Sequence, residues 1–114
     1  MIRSITGLAW EPRQAIRGGA GAARCADYLA KGDMEGILAC GRTELQPGSS
    51  VGEHVHADTE EFYLVLEGRG TGILDGERFP VRAGDLFVVK AGHAHGILND
   101  SDGVLAFLGV LTRG

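Results

Sequence analysis

All four histidines of the chain lie in two short clusters, His54-Val55-His56 and His93-Ala94-His95. In an extended strand, residues i and i+2 project from the same face about 6.5 to 7 Å apart, so the two imidazoles of such a pair can bend toward one ion. An acidic pair, Glu60-Glu61, follows the first cluster and offers a negatively charged oxygen. Nitrogen donors combined with one carboxylate are typical of a site for a first-row transition metal, because calcium prefers oxygen donors throughout.

The same residues also have an ordinary structural interpretation. A single His-x-His pair occurs by chance in many proteins, and an acidic pair often marks only a solvated strand end. The metal hypothesis gains support because both histidine clusters lie among predicted strands and no histidine lies elsewhere.

Short strands are the elements that must position these side chains. Of the 114 residues, 44% are hydrophobic and 23% are charged, which is the balance of one folded domain rather than a disordered segment. The 19 glycines, with only 3 prolines and no Gly-x-y period, indicate many tight turns. From residue 37 onward, turn residues interrupt short apolar runs roughly every eight to twelve residues, a spacing typical of antiparallel sandwiches and barrels.

The predicted strands cover residues 37–45, 62–66, 71–74, 78–81, 85–89, 96–99 and 104–111. Two of them flank Asp75-Gly76, a dipeptide favoured in type I′ turns, and are expected to form a hairpin. Residues 1–36 show no sustained period, and the pattern from Cys25 to Lys31 fits a helical turn or a strand. The run Gly18-Gly19-Ala20-Gly21 is expected to be a flexible turn, because Arg24 occupies the third glycine position of a dinucleotide fingerprint.

The spacing around the histidines resembles the two sequence motifs of the cupin superfamily. The residues that match the first motif are Gly48, His54, His56, Glu61 and Gly68. Those that match the second are Gly84, Gly92, His95 and Asn99, and Lys90 stands where that motif has proline. The spacer between the motifs, 15 residues from Gly68 to Gly84, is the short one of small bacterial cupins. The resemblance implies an all-β, single-domain jelly-roll barrel over residues 37–114.

The resemblance also implies a set of metal ligands, namely His54, His56, Glu61 and His95. Glu61 is preferred to Glu60 because only Glu61 keeps the motif spacing to Gly68, and strand alternation then places Glu60 toward solvent. The ion would be one divalent transition metal, with Mn, Fe, Ni and Zn all left open. Asn99 is expected to hold a loop or strand end through its amide. Lys90 is expected to loosen the turn before His95, and its ammonium lies either near the mouth of the barrel or in solvent.

Two further residues are candidates for a catalytic role. His93 lies outside the motif positions, and it is either an acid or base beside the metal or an ordinary loop residue at the rim. Tyr63 lies two residues after Glu61 and is expected to share its inward face.

Three imidazoles and one carboxylate leave coordination positions open for water or a ligand. We therefore expect a metal-binding cupin that acts on a small oxygenated metabolite by Lewis-acid or redox chemistry, of the dioxygenase or decarboxylase type. One alternative is a non-catalytic module that binds a metal or small ligand for sensing or storage. Another is a sugar isomerase, which would need clustered basic residues for a phosphate, and the arginines of the predicted strands are dispersed. These arginines are Arg42, Arg69, Arg78 and Arg82.

Charge and composition restrict the partners. The net charge of −4, with the two signs interspersed, predicts no binding to nucleic acid. Neither a membrane-spanning apolar run of about 20 residues nor a secretory signal is evident, so a cytoplasmic location is expected. Cys25 and Cys40 are then expected to be reduced. Residues 1–36 lack a core of their own and are expected to form a strand or arm that reaches across a homodimer.

Overall fold

The computed structural model describes residues 1–114 and consists almost entirely of antiparallel β-strands. The strands are β1 (Glu11–Gln14), β2 (Ala22–Leu29), β3 (Ile37–Leu45), β4 (Ser50–Val55), β5 (Thr59–Glu67), β6 (Arg69–Leu74), β7 (Glu77–Arg82), β8 (Leu86–Val89), β9 (Ala94–Leu98) and β10 (Leu105–Arg113). They form a six-stranded sheet in the order β1-β2-β3-β10-β5-β8 and a four-stranded sheet in the order β4-β9-β6-β7. The only helical element is one 3₁₀ turn at Ile16–Gly18, so no helix is present that could cross a membrane.

Alternation along the strands creates the core between the two sheets. In β8, Phe87 and Val89 are buried, while Leu86 and Val88 lie on the outer face and are exposed. The period of two residues therefore sorts the side chains, as expected for a strand with one face on the core. The buried core residues are Ala23, Leu45, Val51, Tyr63, Val65, Val81, Phe87, Ile97, Leu105 and Phe107.

The predicted hairpin is confirmed. β6 pairs with β7 from Arg69–Arg82 to Leu74–Glu77, which leaves Asp75 and Gly76 as a two-residue turn. Their φ angles are 48° and 80°, the left-handed values that a type I′ turn requires at both central positions. Most other predicted strands are also present, and β3 covers the predicted residues 37–45.

Residues 1–36 contribute two strands to the larger sheet of their own chain. β2 pairs with β3 from Ala23–Leu45 to Leu29–Cys40, and β1 pairs with β2. The sequence of β2 leaves the choice between helix and strand open because it is rich in alanine and poor in β-branched residues. Pairing with β3 decides this choice. Both cysteines are free, Cys25 on β2 and Cys40 on β3.

Candidate metal centre

Three strands from both sheets deliver the predicted metal ligands to one place. His54 on β4 lies directly opposite His95 on β9 in the strand register. His56 follows the end of β4, and its backbone N–H donates to the His93 carbonyl at 3.0 Å. Glu61 enters from β5, in the opposite sheet. Residues 39 positions apart, His56 and His95, are thereby brought together between the sheets.

The distances between the ligand atoms fit a single metal ion. One ligand atom from each of His54, His56, Glu61 and His95 lies within 4.8 Å of all the others. The Nε2 atoms of His56 and His95 are 3.0 Å apart, and Glu61 Oε1 lies 3.3 Å from the first and 3.0 Å from the second. Neighbouring ligands at right angles around an ion, with bonds of about 2.1 Å, are themselves about 3.0 Å apart. These three atoms therefore have the spacing of neighbouring ligands in one coordination sphere.

The hydrogen bonds of the rings leave the inward nitrogens available. His54 Nδ1–H donates to the Gly52 carbonyl at 2.7 Å, so the lone pair of this neutral ring is on Nε2. His56 Nδ1 lies 2.8 Å from Thr59 Oγ1, and the fully buried His95 Nδ1 has no partner. Imidazole lone pairs that converge on a carboxylate oxygen repel one another unless positive charge lies among them. A divalent cation supplies that charge, so this donor set fits a metal.

Electrostatics keep two of the rings in the form that binds metal. Burial is the main cause that lowers the pKa of His54, the hydrogen bond to the Gly52 carbonyl opposes it, and the positive charge of Arg17 lowers the pKa further. Burial also lowers the pKa of His56, against the opposing effect of the Glu61 charge. Both imidazoles are therefore neutral at pH 7, as a metal ligand must be.

Tyr63 forms the wall beside His95. The two rings are stacked at a centroid distance of 4.4 Å, and the tyrosine ring also contacts Phe107 at 4.4 Å and Phe87 at 5.5 Å. Burial raises the pKa of Tyr63 well above its ordinary value, and the Glu61 charge raises it further. Tyr63 is consequently a neutral phenol that can donate a proton or a hydrogen bond.

An open cavity of about 270 Å³ lies beside the ligands. Its wall includes His54, His56, Glu61 and Tyr63, together with apolar side chains and the charged residues Arg13, Arg17, Asp27 and Arg42. Pockets for drug-sized ligands span about 300 to 1,000 Å³, so this cavity suits a smaller molecule.

The structure does not bring His93 to this cavity. Its ring lies outside, with 57% of the side chain exposed, and Nδ1 is 2.6 Å from Asp75 Oδ2 in the β6–β7 turn. The loop interpretation is therefore the one that fits. Glu60 and Lys90 also lie outside and form an ion pair at 2.8 Å, while Glu61 points inward as expected. The main chain of the Lys90 turn is closed by a hydrogen bond from His93 N–H to the Lys90 carbonyl at 3.1 Å.

Sequence reasoning missed the arginines of the cavity wall. Arg13 and Arg17 belong to residues 1–36, where no period predicted an element, and the basic residues considered for a phosphate site were all on later strands. Of those, Arg42 also lines the cavity, but its charge is shared between Glu44 at 3.0 Å and Glu67 at 3.1 Å. The glycine run after Arg17 was the one available signal, and its spacing alone did not indicate a role.

Comparisons with known proteins agree with this geometry. A family model described as "Cupin domain" matches residues 41–111. An "Oxalate-binding protein" from Thermotoga maritima is 37% identical over 97 residues, which cover 84% of this chain and 80% of that protein. A solved structure of a predicted oxalate decarboxylase from Thermotoga maritima has a TM-score of 0.96 and 33% identity, with 100% of both chains covered. A sugar phosphate isomerase from Silicibacter pomeroyi has a TM-score of 0.79 and 23% identity, over 100% of this chain and 76% of that one, and this likeness concerns the fold alone.

Proposed function

The chain belongs to the cupin family, and from this premise we propose that it binds a small carboxylate of the oxalate type at a divalent transition metal. The ligands to the metal would be His54, His56, Glu61 and His95. The observation that carries the proposal is the convergence of these four side chains beside a cavity of a size that suits a small molecule, with His54, His56 and Glu61 on its wall. The metal, when bound, supplies a Lewis acid that holds and polarises an oxygen chelate.

The protein's own residues give the site its charge and its shape. An imidazole that binds a metal is an uncharged ligand, so three such ligands and one carboxylate would leave a divalent site with a net charge of about +1, which attracts an anion. Stacking on Tyr63 fixes the orientation of the buried His95 ring. Apolar side chains on the wall, including Val51, Phe107 and Leu111, lower the polarity around the ligands and strengthen charge interactions there.

The similar proteins support oxalate as the first ligand to test. One relative is named for oxalate binding and one similar structure for predicted oxalate decarboxylation, and both are more than 30% identical to this chain. Oxalate is also small enough for the cavity and carries the paired oxygens that chelate a metal.

The decisive test is oxalate binding with and without metal. Protein purified without a nickel column is analysed for metal, stripped with a chelator, and reloaded separately with Mn²⁺, Fe²⁺, Ni²⁺ and Zn²⁺. Titration calorimetry with oxalate follows each loading. We expect binding only to metal-loaded protein, and loss of both metal and oxalate in the His56→Ala variant.

His93→Ala is the matched control, because this histidine lies outside the cavity. It should keep the metal content and the oxalate affinity of the wild type. Oxalate binding of equal strength to the stripped protein, or no binding after any of the four loadings, would contradict the proposed function.

A second candidate function, decarboxylation of the bound oxalate, is favoured by the position of Tyr63 on the cavity wall, where its hydroxyl has no hydrogen-bond partner in the protein. Breaking the C–C bond of oxalate releases carbon dioxide and leaves an electron pair on the remaining carbon, which takes up one proton to give formate. Tyr63 would donate that proton and recover it from solvent. An assay for formate from oxalate separates the enzyme from a binding module used in sensing or storage, because the module would bind oxalate and release no formate.

A further inference from the structure

Arg17 is a charged residue of the cavity that the proposed metal site does not use. It lies on the 3₁₀ turn before β2, lines the cavity, and is exposed to solvent. Its positive charge helps to lower the pKa values of His54 and His56. The same charge opposes the rise in the pKa of Tyr63 that burial causes. Arg17 is thus within electrostatic reach of the ligand cluster.

The backbone holds Arg17 in an unusual conformation. Its φ is 53° and that of Ala15 is 49°, so two residues that are not glycine adopt left-handed geometry within one short loop. L-residues other than Gly, Asn and Asp avoid this region because Cβ crowds the following carbonyl. Strain of this kind persists only where surrounding structure imposes it, and it concentrates at functional sites.

Surrounding contacts impose the conformation here. Ala15 N–H donates to the Gly21 carbonyl at 3.0 Å and closes the loop. The loop packs against β4 so closely that a Cβ on Gly52 would overlap the Arg17 carbonyl, and a Cβ on Gly19 would overlap the Ser50 carbonyl. Because β4 also carries His54, these contacts tie the position of Arg17 to the metal ligands.

The guanidinium of Arg17 has no carboxylate partner in the protein. The ion pairs of the structure use four other arginines, namely Arg3, Arg13, Arg24 and Arg42. Arg13 and Arg42 also line the cavity, but Arg13 has Glu11 at 3.5 Å, and Arg42 has two glutamates. Asp27 is the acidic residue of the wall besides Glu61, and it is not paired with Arg17. Arg17 is therefore the arginine at the cavity whose charge is left for a ligand.

We infer that Arg17 is a specificity-determining residue that selects a ligand with two negative charges. This inference rests on the proposed function: oxygens of the ligand that do not bind the metal would accept hydrogen bonds from the Arg17 guanidinium. The chemical class is a short dicarboxylate dianion, because a monoanion would place its charge at the metal and leave nothing for the arginine. A planar guanidinium matches a carboxylate with two parallel hydrogen bonds, which lysine does not reproduce.

The experiment compares oxalate with oxamate, in which an amide replaces one carboxylate. Both ligands are titrated into metal-loaded wild type, Arg17→Gln, Arg17→Lys and Arg69→Gln, the last being an arginine on β6 outside the cavity. We expect Arg17→Gln to weaken oxalate binding by about ten- to a hundredfold and oxamate binding by less than about threefold. Arg17→Lys should fall between the wild type and Arg17→Gln for oxalate, and Arg69→Gln should match the wild type.

The affinity for the metal alone provides a readout that general damage to the site would not produce. Removal of a positive charge near the ligands should leave the Mn²⁺ affinity of Arg17→Gln equal or higher, whereas distortion of the site would lower it. Arg17→Gly is the second variant, since glycine accepts the left-handed backbone and should fold at least as stably as the wild type.

The possible failures are distinguishable. If the wild type binds oxalate and both Arg17→Gln and Arg17→Gly bind it equally well, the role of Arg17 is refuted while the proposed function stands. Equal losses for oxalate and oxamate, or a lowered Mn²⁺ affinity, also refute selection by charge. If the wild type binds neither anion after any metal loading, the proposed function and the inference both fall.

Discussion

The ring and the hydroxyl of Tyr63 have separable roles, and substitution can separate them. The ring is 5% exposed and packs against Phe107, Phe87 and His95. The hydroxyl has no hydrogen-bond partner in the protein and belongs to a side chain on the cavity wall. Tyr63→Ala removes both groups, while Tyr63→Phe removes only the hydroxyl.

The expected magnitudes follow from these contacts. Truncation of a buried aromatic residue to alanine costs about 3–5 kcal/mol, a large part of the roughly 5–15 kcal/mol that stabilises a domain. At about 4 °C per kcal/mol for a chain of this size, Tyr63→Ala should lower Tm by about 12–20 °C. Tyr63→Phe keeps every ring contact and breaks no hydrogen bond within the protein, so its stability should stay within about 1 kcal/mol of the wild type.

Thermal unfolding of the metal-free protein, metal content and formate release from oxalate are the measurements. Tyr63→Phe should keep its Tm and its metal but lose formate production by about a hundredfold or more, if the wild type produces formate. A fall in stability of more than about 2 kcal/mol in Tyr63→Phe would show that the hydroxyl has a buried partner, against the structural reasoning. Formate production equal to that of the wild type would reject Tyr63 as the proton donor.

Three other expectations concern stability and assembly. Burial alone would raise the pKa of Glu44, but hydrogen bonds from Arg24 at 2.6 Å and Arg42 at 3.0 Å outweigh burial and lower that pKa below 4.5. The ionised Glu44 therefore stabilises the fold above pH 4.5, and this contribution is lost as the pH falls through the folded-state pKa. Denaturant unfolding should show Glu44→Gln less stable than the wild type at pH 7, with a gap that narrows below pH 4.5; a constant gap would contradict this. The fully buried Asn99 amide donates to two backbone carbonyls at 2.9 and 2.8 Å. Asn99→Ala should therefore lower the free energy of unfolding by about 2–4 kcal/mol in the same assay. A loss below about 1 kcal/mol would show that these hydrogen bonds contribute little. We also expect a homodimer that covers the apolar outer face of β8, where Val88 is 47% exposed. Val88→Lys should lower the mass measured by light scattering toward that of a monomer. A wild-type mass near 12.0 kDa would refute dimerisation.

The candidate metal ligands could be predicted from the sequence because strand alternation and the spacing of turn glycines both constrain them. Strand alternation puts His54 and His56 on one side, and it separates Glu61 from Glu60, which pairs with Lys90 outside. Turn glycines at fixed distances determine where each strand begins. The short spacer between the two motifs therefore predicted that His95 lies close to the first histidine pair. The confirmed role of Asn99, which tethers the end of β9 through its amide, followed from the same motif.

The features that the sequence did not reveal depend on contacts with distant residues. β2 is a strand because β3 pairs with it, and its own residues do not favour that conformation. The ring of His93 forms a hydrogen bond with Asp75, which lies 18 positions earlier in the β6–β7 turn. The left-handed backbone at Arg17 could not be predicted from the local sequence, because glycine is the residue that usually adopts this conformation.

The closure of the loop that carries Arg17 has an evolutionary consequence. Ala15 and Gly21 meet through one hydrogen bond of 3.0 Å, so the intervening residues leave and rejoin the sheet at a single point. The candidate metal ligands lie on β4, directly after it, on β5 and on β9, and none lies in this loop. Exchanges of the exposed Arg17 side chain that keep this closure and the close contact of Gly19 with β4 would therefore change the charge at the cavity and leave the candidate metal ligands in place. The same loop is therefore a suitable position for substitutions designed to change the anion selectivity of this barrel.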